Sequence, residues 1–248
     1  MDQHLTLLSF DETHRAAESP GLYAWYGSLY ASVADYKREV DAEGKDIGTI
    51  RFRRLLARHM LRYQPFPIDM RGRNTFGADW RGALEDKSQD PIQDIILGRT
   101  EGATELSDDA KGFSQKLDRV ANDAKTRGLL VRVLETATPA ISAPIYVGVA
   151  KNLRERLGQH VSLYKNLKDV IGSDEEKLRL LREKIRQEGL GFAHRAIAMD
   201  FGPEQLRVIT LDIKSLVGDQ ASDEELREVA GVAEWLLNRW HRPFAGRR

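Results

Sequence analysis

Five side chains in this sequence have the types needed to hydrolyse a phosphodiester. Tyr23 lies in SPGLYAWYGSLY, residues 19–30, and Tyr146 in APIYVGV, residues 143–149. Arg156 follows Tyr146, and His160 comes one helical turn after Arg156, so the last two point the same way. Glu234 stands in AEWLLNRWHRP near the C-terminus. Hydrolysis requires an activated water, charge stabilisation on the phosphate and a proton for the leaving oxygen. A divalent ion can stabilise the phosphate and the leaving oxygen, and Glu234 is a suitable hard oxygen ligand for Mg²⁺. Arg156 can hold a phosphate oxygen by charge-assisted hydrogen bonds. A free tyrosine ionises near pH 10, so a nearby metal and Arg156 would have to lower that value to give a phenolate base at about neutral pH.

These groups need strands and helices to bring them together. Residues 19–30 read as a short strand after a Ser-Pro-Gly turn, and 143–149 as a second strand. LLVRVLE, residues 129–135, also alternates like a strand, and residues 192–200 and 206–213 read as strands around Gly202-Pro203. From Lys151 to about Leu167 the period is helical, with Leu153, Leu157, His160 and Tyr164 on one face. A lone histidine in an apolar stripe is more often a core residue, but an arginine four positions before it favours a chemical role. A charged helix follows at about 174–188, stopped by Gly189 and Gly191. The last helix opens on Ser222-Asp223-Glu224-Glu225, a capping-box sequence, and runs through Leu226, Val229, Ala230, Ala233, Leu237 and Trp240. On its wheel Glu234 falls about 80° from Leu226, at the edge of the apolar stripe, where it can face a cleft. Between the two tyrosine strands, residues 31–64 read as helix in two pieces broken near Gly44 and Gly48. Residues 68–78 read as a loop, and 79–97 and 105–126 as two further helices.

Tyr146-Val147-Gly148 and the following VAKNLRERLGQH closely resemble the second half of the GIY-YIG nuclease motif. In that family a Tyr-x-Gly strand feeds a helix bearing an Arg and then a His, the places that Arg156 and His160 occupy. Gly21-Leu22-Tyr23 resembles the first half, with Leu for the usual Ile, and Glu234 with Pro243 matches the last motif. The resemblance covers residues 20–26 and roughly 143–246. It implies an α+β fold: a small central, mainly antiparallel sheet flanked by helices. It implies a catalytic set of Tyr23, Tyr146, Arg156, His160 and Glu234, with one Mg²⁺ or Mn²⁺ per site held by Glu234. Tyr23 takes the base role and Tyr146 positions the water or phosphate. The expected activity is a metal-dependent endonuclease acting on DNA, in restriction or phage defence, with RNA left open. The alternative is a catalytically weak or inactive nucleic-acid-binding module.

Three features depart from the family. Residues 24–145 separate the two tyrosines, which in compact members lie close together. This splits the chain into a core of 1–30 and 141–248 and a mostly helical insertion of 31–140. Alternatively, LLVRVLE is the partner strand of APIYVGV, which would leave Tyr23 outside the site. No Asn follows Pro243, and Asn238, one turn past Glu234, is the nearest substitute. The interval from His160 to Glu234 is also long.

Formal net charge is +0, so support for a nucleic-acid partner has to be local. Residues 50–81 hold eight arginines against two acids. Arg51, Arg54 and Arg58 in this stretch share one helix face, and with Lys151 and Arg154 they are the expected phosphate contacts. The competing reading is a solvated face. One site per chain means that cutting both strands of a duplex takes a homodimer or two encounters. The 248 residues include no cysteine, so disulfides and thiolate zinc sites are excluded. With no spanning apolar run and no leader pattern, no membrane association and a cytoplasmic location are expected.

Overall fold

The computed structural model describes residues 4–62, 68–73, 79–84, 90–99, 108–188, 190–218 and 221–240. In chain order the elements are β1 (Leu5–Ser9), a 3-10 turn (Phe10–Arg15), β2 (Gly21–Gly27), α1 (Val33–Tyr36), α2 (Ile47–Arg62), β3 (Ile68–Arg73) and β4 (Asp79–Leu84). Next come α3 (Asp90–Leu97), α4 (Asp108–Ala121), α5 (Ala124–Ile141), β5 (Tyr146–Ala150), α6 (Leu153–Ile171), α7 (Glu175–Glu188) and α8 (Phe192–Ala198). A 3-10 turn (Pro203–Gln205), β6 (Leu206–Asp212), α9 (Ile213–Val217) and α10 (Asp223–Trp240) complete the chain. The fold is α+β. The chain divides into two compact units, Met1–Tyr30 with Leu134–Arg248, and Ala31–Val133. The division falls after Tyr30 and inside α5, before Leu134.

The first unit is built on a four-stranded sheet of order β1-β6-β2-β5. Its three pairings are all antiparallel. β2 buries every second residue, Gly21, Tyr23, Trp25 and Gly27, because alternate side chains of a strand leave on opposite faces. Leu206, Val208 and Thr210 of β6 are buried in the same alternation. The other face carries Leu22, Val149 and Leu211, which pack against Ile213, Leu226 and Ala230. α6 buries Leu153, Leu157, His160, Tyr164 and Ile171, a stripe at helical spacing. Asn152 caps it by accepting from the Glu155 N–H at 3.0 Å, and Gly172, at φ 56°, ends it. α10 begins with the capping box read from the sequence: the Ser222 N–H donates to Glu225 Oε2 at 2.8 Å, and the Glu225 N–H to Ser222 Oγ at 3.3 Å.

The second unit contains α1–α4, the start of α5 and an antiparallel β3–β4 hairpin. Its α2, α3 and α4 meet through Ala57, Ile96 and Leu117. Two arginines tie these helices together. Arg53 is buried; it donates to the carbonyls of Ile95 and Ile96 at 3.2 and 3.0 Å and pairs with Asp118. Arg127 is fully buried. It donates to the Tyr36 carbonyl (2.8 Å), the Ala121 carbonyl (2.7 Å), Thr49 Oγ1 (3.0 Å) and Asp46 Oδ2 (3.0 Å). A buried guanidinium is tolerated only when its donors are met in this way.

Several sequence expectations are overturned. LLVRVLE is not a strand but lies inside α5: Arg127 and Val131, four apart, are buried, while Leu129 and Val133 are exposed. That is a helical period, and β5 pairs with β2 instead. Where a strand over 192–200 is expected, Phe192–Ala198 form α8; Phe192, Ala193, Arg195, Ala196, Ile197 and Ala198 are all buried. A helix buried all round has no polar face to mark its period. Residues 68–73 and 79–84 are the paired strands β3 and β4, where a loop and a helix start are expected; residues 74–78 lie outside the described residues. The helical break falls at residues 37–46, and Gly48 lies inside α2. The sequence reading leaves residues 5–9 unassigned, yet they form an edge strand of the sheet. Among the described residues no helix is long and apolar enough to cross a membrane.

Candidate active site

β2 places Tyr23 at the centre of the sheet, opposite Gly148 of β5 and Thr210 of β6. In antiparallel pairs, directly opposite residues share a face, so the Tyr23 ring lies across Gly148. A Cβ at Gly148 would come within 2.6 Å of Tyr23 Cζ and 3.0 Å of Tyr146 Cε1. The glycine two positions after Tyr146 is therefore a steric requirement for bringing both phenols to one face. Tyr23 and Tyr146 stack with ring centroids 6.2 Å apart and planes 25° from parallel.

α6 then lays His160 over Tyr23. Tyr23 Oη and His160 Nε2 are 2.7 Å apart, a buried hydrogen bond between segments far apart in sequence. The ring centroids are 5.4 Å apart, and Tyr146 meets the same imidazole edge-on at 5.8 Å. One turn earlier on α6, Arg156 is exposed, with Nη1 donating to Gln159 Oε1 at 3.1 Å. The Arg156 charge acts on both phenols. With the imidazole proton on Nδ1, the Tyr23 hydroxyl donates to His160 Nε2. Glu234 of α10 is half-buried and close enough for its charge to act on the Tyr23 phenol, as the weakest of the influences there. The back of the site, Tyr23 and His160, is 2% and 4% exposed, whereas Tyr146, Arg156 and Glu234 border solvent.

Electrostatics follow from this layering. Burial, then Tyr146, pushes the Tyr23 phenol well above its ordinary value; Arg156 pulls the other way and loses. Residue types and spacing point only to the arginine and a metal as influences on this phenol; burial depends on the fold. Burial, then Arg156, depresses His160 to about 3, so the imidazole is neutral at neutral pH. Burial lowers Arg156, but the two phenols outweigh it and the net direction is upward.

The depressed His160 has a consequence for acid stability. The unfolded histidine takes a proton below about pH 6.5, and the folded one only near pH 3. Between those values the unfolded chain binds more protons, so stability falls as pH falls, by at most about 1.4 kcal/mol per pH unit from this residue. The slope of unfolding free energy between about pH 6 and 4 is expected to be shallower for His160→Gln than for wild type. Parallel slopes in urea melts at several pH values would refute it.

The other expected contacts are placed as follows. Lys151 is exposed. Arg154 pins the chain before β2, donating to the Ala16 carbonyl at 3.0 Å and pairing with Glu18. Arg51 pairs with Glu39, with Nη2 to Oε1 at 3.2 Å, while Arg54 and Arg58 are exposed. Pro243 lies outside the described residues, as does the side chain of Asn238. Sequence reasoning misses Phe192 of α8, which stacks on Trp25 at 4.2 Å and meets His160 edge-on at 5.4 Å. Phe192 opens a short segment in which His194 and Arg195 interrupt the apolar residues, and it shows no clear period to read.

Among the described residues no group of three or more His, Asp or Glu side chains could hold a metal ion. That donor set does not suit an all-protein cage. A carboxylate such as Glu234 suits Mg²⁺, which keeps several waters and completes its shell with substrate oxygens. No protein-family model, curated protein or solved structure matches this chain.

Proposed function

We propose that this protein is a metal-dependent endonuclease of GIY-YIG type that hydrolyses phosphodiester bonds in DNA. The observation that carries the reading is the buried Tyr23–His160 hydrogen bond, with Tyr146 and Arg156 on the same group. Residues this far apart in sequence converge in the order the motif resemblance requires.

In this reading the scissile phosphate lies against Arg156 and the half-exposed Tyr146, and Glu234 holds the divalent ion. The ion, when bound, supplies positive charge to the phosphate and the departing oxygen. The attacking water forms the new P–O bond and gives its proton to Tyr23 Oη, while the Tyr23 proton passes to His160 Nε2. The bond to the departing oxygen breaks, and that oxygen takes a proton from solvent. Neutral His160 is an acceptor in waiting. Part of its depression comes from Arg156, and a phosphate neutralising Arg156 removes that part at the moment the proton arrives. Tyr23 is the better base of the two phenols because it has a proton acceptor behind it.

Supercoiled plasmid incubated with Mg²⁺ should be nicked or linearised, and EDTA should stop it; parallel incubation with RNA decides the preferred substrate. A second reading, a binding module that does not cut, is favoured by the missing Asn after Pro243. It predicts a salt-dependent gel shift with no cleavage under any divalent ion.

Binding gives a separate expectation for the second unit. Arg54 and Arg58 are exposed on α2, whereas Arg51 is engaged by Glu39. Each arginine that neutralises a phosphate contributes about one unit to the salt slope of binding. Arg54→Gln with Arg58→Gln should therefore flatten the slope for a short duplex by about two units, and adding Arg51→Gln should contribute less than one further unit. Parallel slopes would remove this helix from the substrate path. Folding should change little, since exposed arginines contribute little stability.

A further inference from the structure

We propose that Phe192, the first residue of α8, is a positioning residue for this site, its ring fixing the His160 imidazole and the Tyr146 ring in the orientations that Tyr23 needs. The proposal deepens the nuclease reading and rests on it for its kinetic part. Phe192 is fully buried and touches three site-face aromatics at once. It stacks on Trp25 with centroids 4.2 Å apart and planes 16° from parallel. It meets His160 edge-on at 5.4 Å and 73°, and Tyr146 at 6.3 Å and 64°. Offset stacks and edge-to-face contacts are the preferred aromatic geometries, each favourable beyond simple area burial.

The arrangement leaves the imidazole little freedom. Tyr23 lies 5.4 Å from it, Tyr146 5.8 Å and Phe192 5.4 Å, centroid to centroid, so rings from β2, β5 and α8 contact the one ring that α6 supplies. Of these three neighbours Phe192 alone has no polar atom. It gives the imidazole nothing to hydrogen-bond with, so the one strong partner for Nε2 is the Tyr23 hydroxyl at 2.7 Å. The same ring packs against Tyr146 from α8 while Tyr23 stacks on it within the sheet. α8 itself is held rigidly: Phe192, Ala193, Arg195, Ala196, Ile197 and Ala198 are all buried, and Arg182 of α7 donates to the Ala198 carbonyl at 3.0 Å. A short helix buried almost to its last residue is a firm mount for one ring.

The test uses the full-length chain with Phe192→Leu, which keeps an apolar group but loses the ring. Phe201→Leu is the control. Phe201 is equally buried in the same unit, with its ring packed at Gly27. Two measurements are made at neutral pH. The first is the ¹⁵N signature of the His160 imidazole. Wild type should show one tautomer, protonated at Nδ1, with Nε2 accepting from Tyr23. Phe192→Leu should show mixed tautomers, and Phe201→Leu should match wild type. The second is cleavage kinetics. Phe192→Leu should lower kcat on the order of 10- to 100-fold, the size of effect that a small misplacement of reacting groups produces, with KM unchanged. An unchanged single tautomer in Phe192→Leu overturns the proposal, as does an equal disturbance by Phe201→Leu, which would show general loosening of the core. If wild type cuts no nucleic acid the nuclease reading falls, and the tautomer measurement alone decides whether Phe192 orients His160.

Discussion

Glu234→Ala should leave plasmid DNA uncut in Mg²⁺ while binding a short duplex as tightly as wild type. Glu234 comes one turn after Ala230, whose side chain with Leu226 anchors α10 against Leu22, Val149 and Leu211. The carboxylate itself is half-buried, and a thermal melt of the variant checks that the fold survives its loss. Its loss from the site is a different matter. Among the described residues no group of three or more His, Asp or Glu side chains could hold the ion, so an ion that relies on Glu234 has no full protein ligand set to fall back on. Charge stabilisation by a metal amounts to several kcal/mol in the transition state, and each 1.4 kcal/mol is about tenfold in rate. A fall in cleavage on the order of 10³-fold or more is the expected result. Glu234→Gln, which keeps the shape and removes the charge, should behave the same way. Duplex affinity should hold because the arginines are untouched. Cleavage by Glu234→Ala at the wild-type rate under matched Mg²⁺ would end the metal-ligand assignment.

The second large effect is a failure of additivity. Tyr23→Phe removes the hydroxyl that meets His160 Nε2 at 2.7 Å. If that hydroxyl is the base and the imidazole takes its proton, either loss breaks the same transfer. General-base contributions run to about 10²–10⁴-fold, so Tyr23→Phe and His160→Gln should each lower kcat by that order. The double variant should be no worse than the poorer single one, because residues acting as a unit do not add. Independent roles would make the two effects multiply, and a multiplicative result would sink the relay. Tyr146→Phe should cost less if Tyr146 only positions the water or phosphate. The single variants need a stability control. Leaving a buried hydrogen-bonding group unpaired costs about 1–3 kcal/mol, so the rates must be compared well below each variant's Tm.

The local features of this chain were legible from one sequence. β2, β5 and β6 announce themselves by alternation and flanking turns. α6 follows from a stripe that runs Leu153, Leu157, His160, Tyr164, and α10 from its capping box. These signals are carried by residues within a few positions of one another, so no distant contact is needed to read them. The same spacing puts Arg156 and His160 on one side of one helix, whatever that helix packs against.

The rest waited for tertiary structure. Whether β5 pairs with β2 or with residues 129–135 depends on hydrogen bonds between segments that the whole second unit separates, and LLVRVLE alternates well enough to suit either answer. α8 is buried nearly all round, and its composition does not distinguish a helix from a core strand. The arginine-rich stretch reads as one basic surface, yet Arg53 is buried in the core of the second unit and Arg51 pairs with Glu39. The site shows the same division. The residue types at positions 23, 146, 156, 160 and 234 were readable, but their state was not. Burial outweighs Arg156 at Tyr23 and keeps His160 neutral. Residue type and spacing determine what a side chain can do. Desolvation depends on what the rest of the chain folds over it, and only the packed structure decides that.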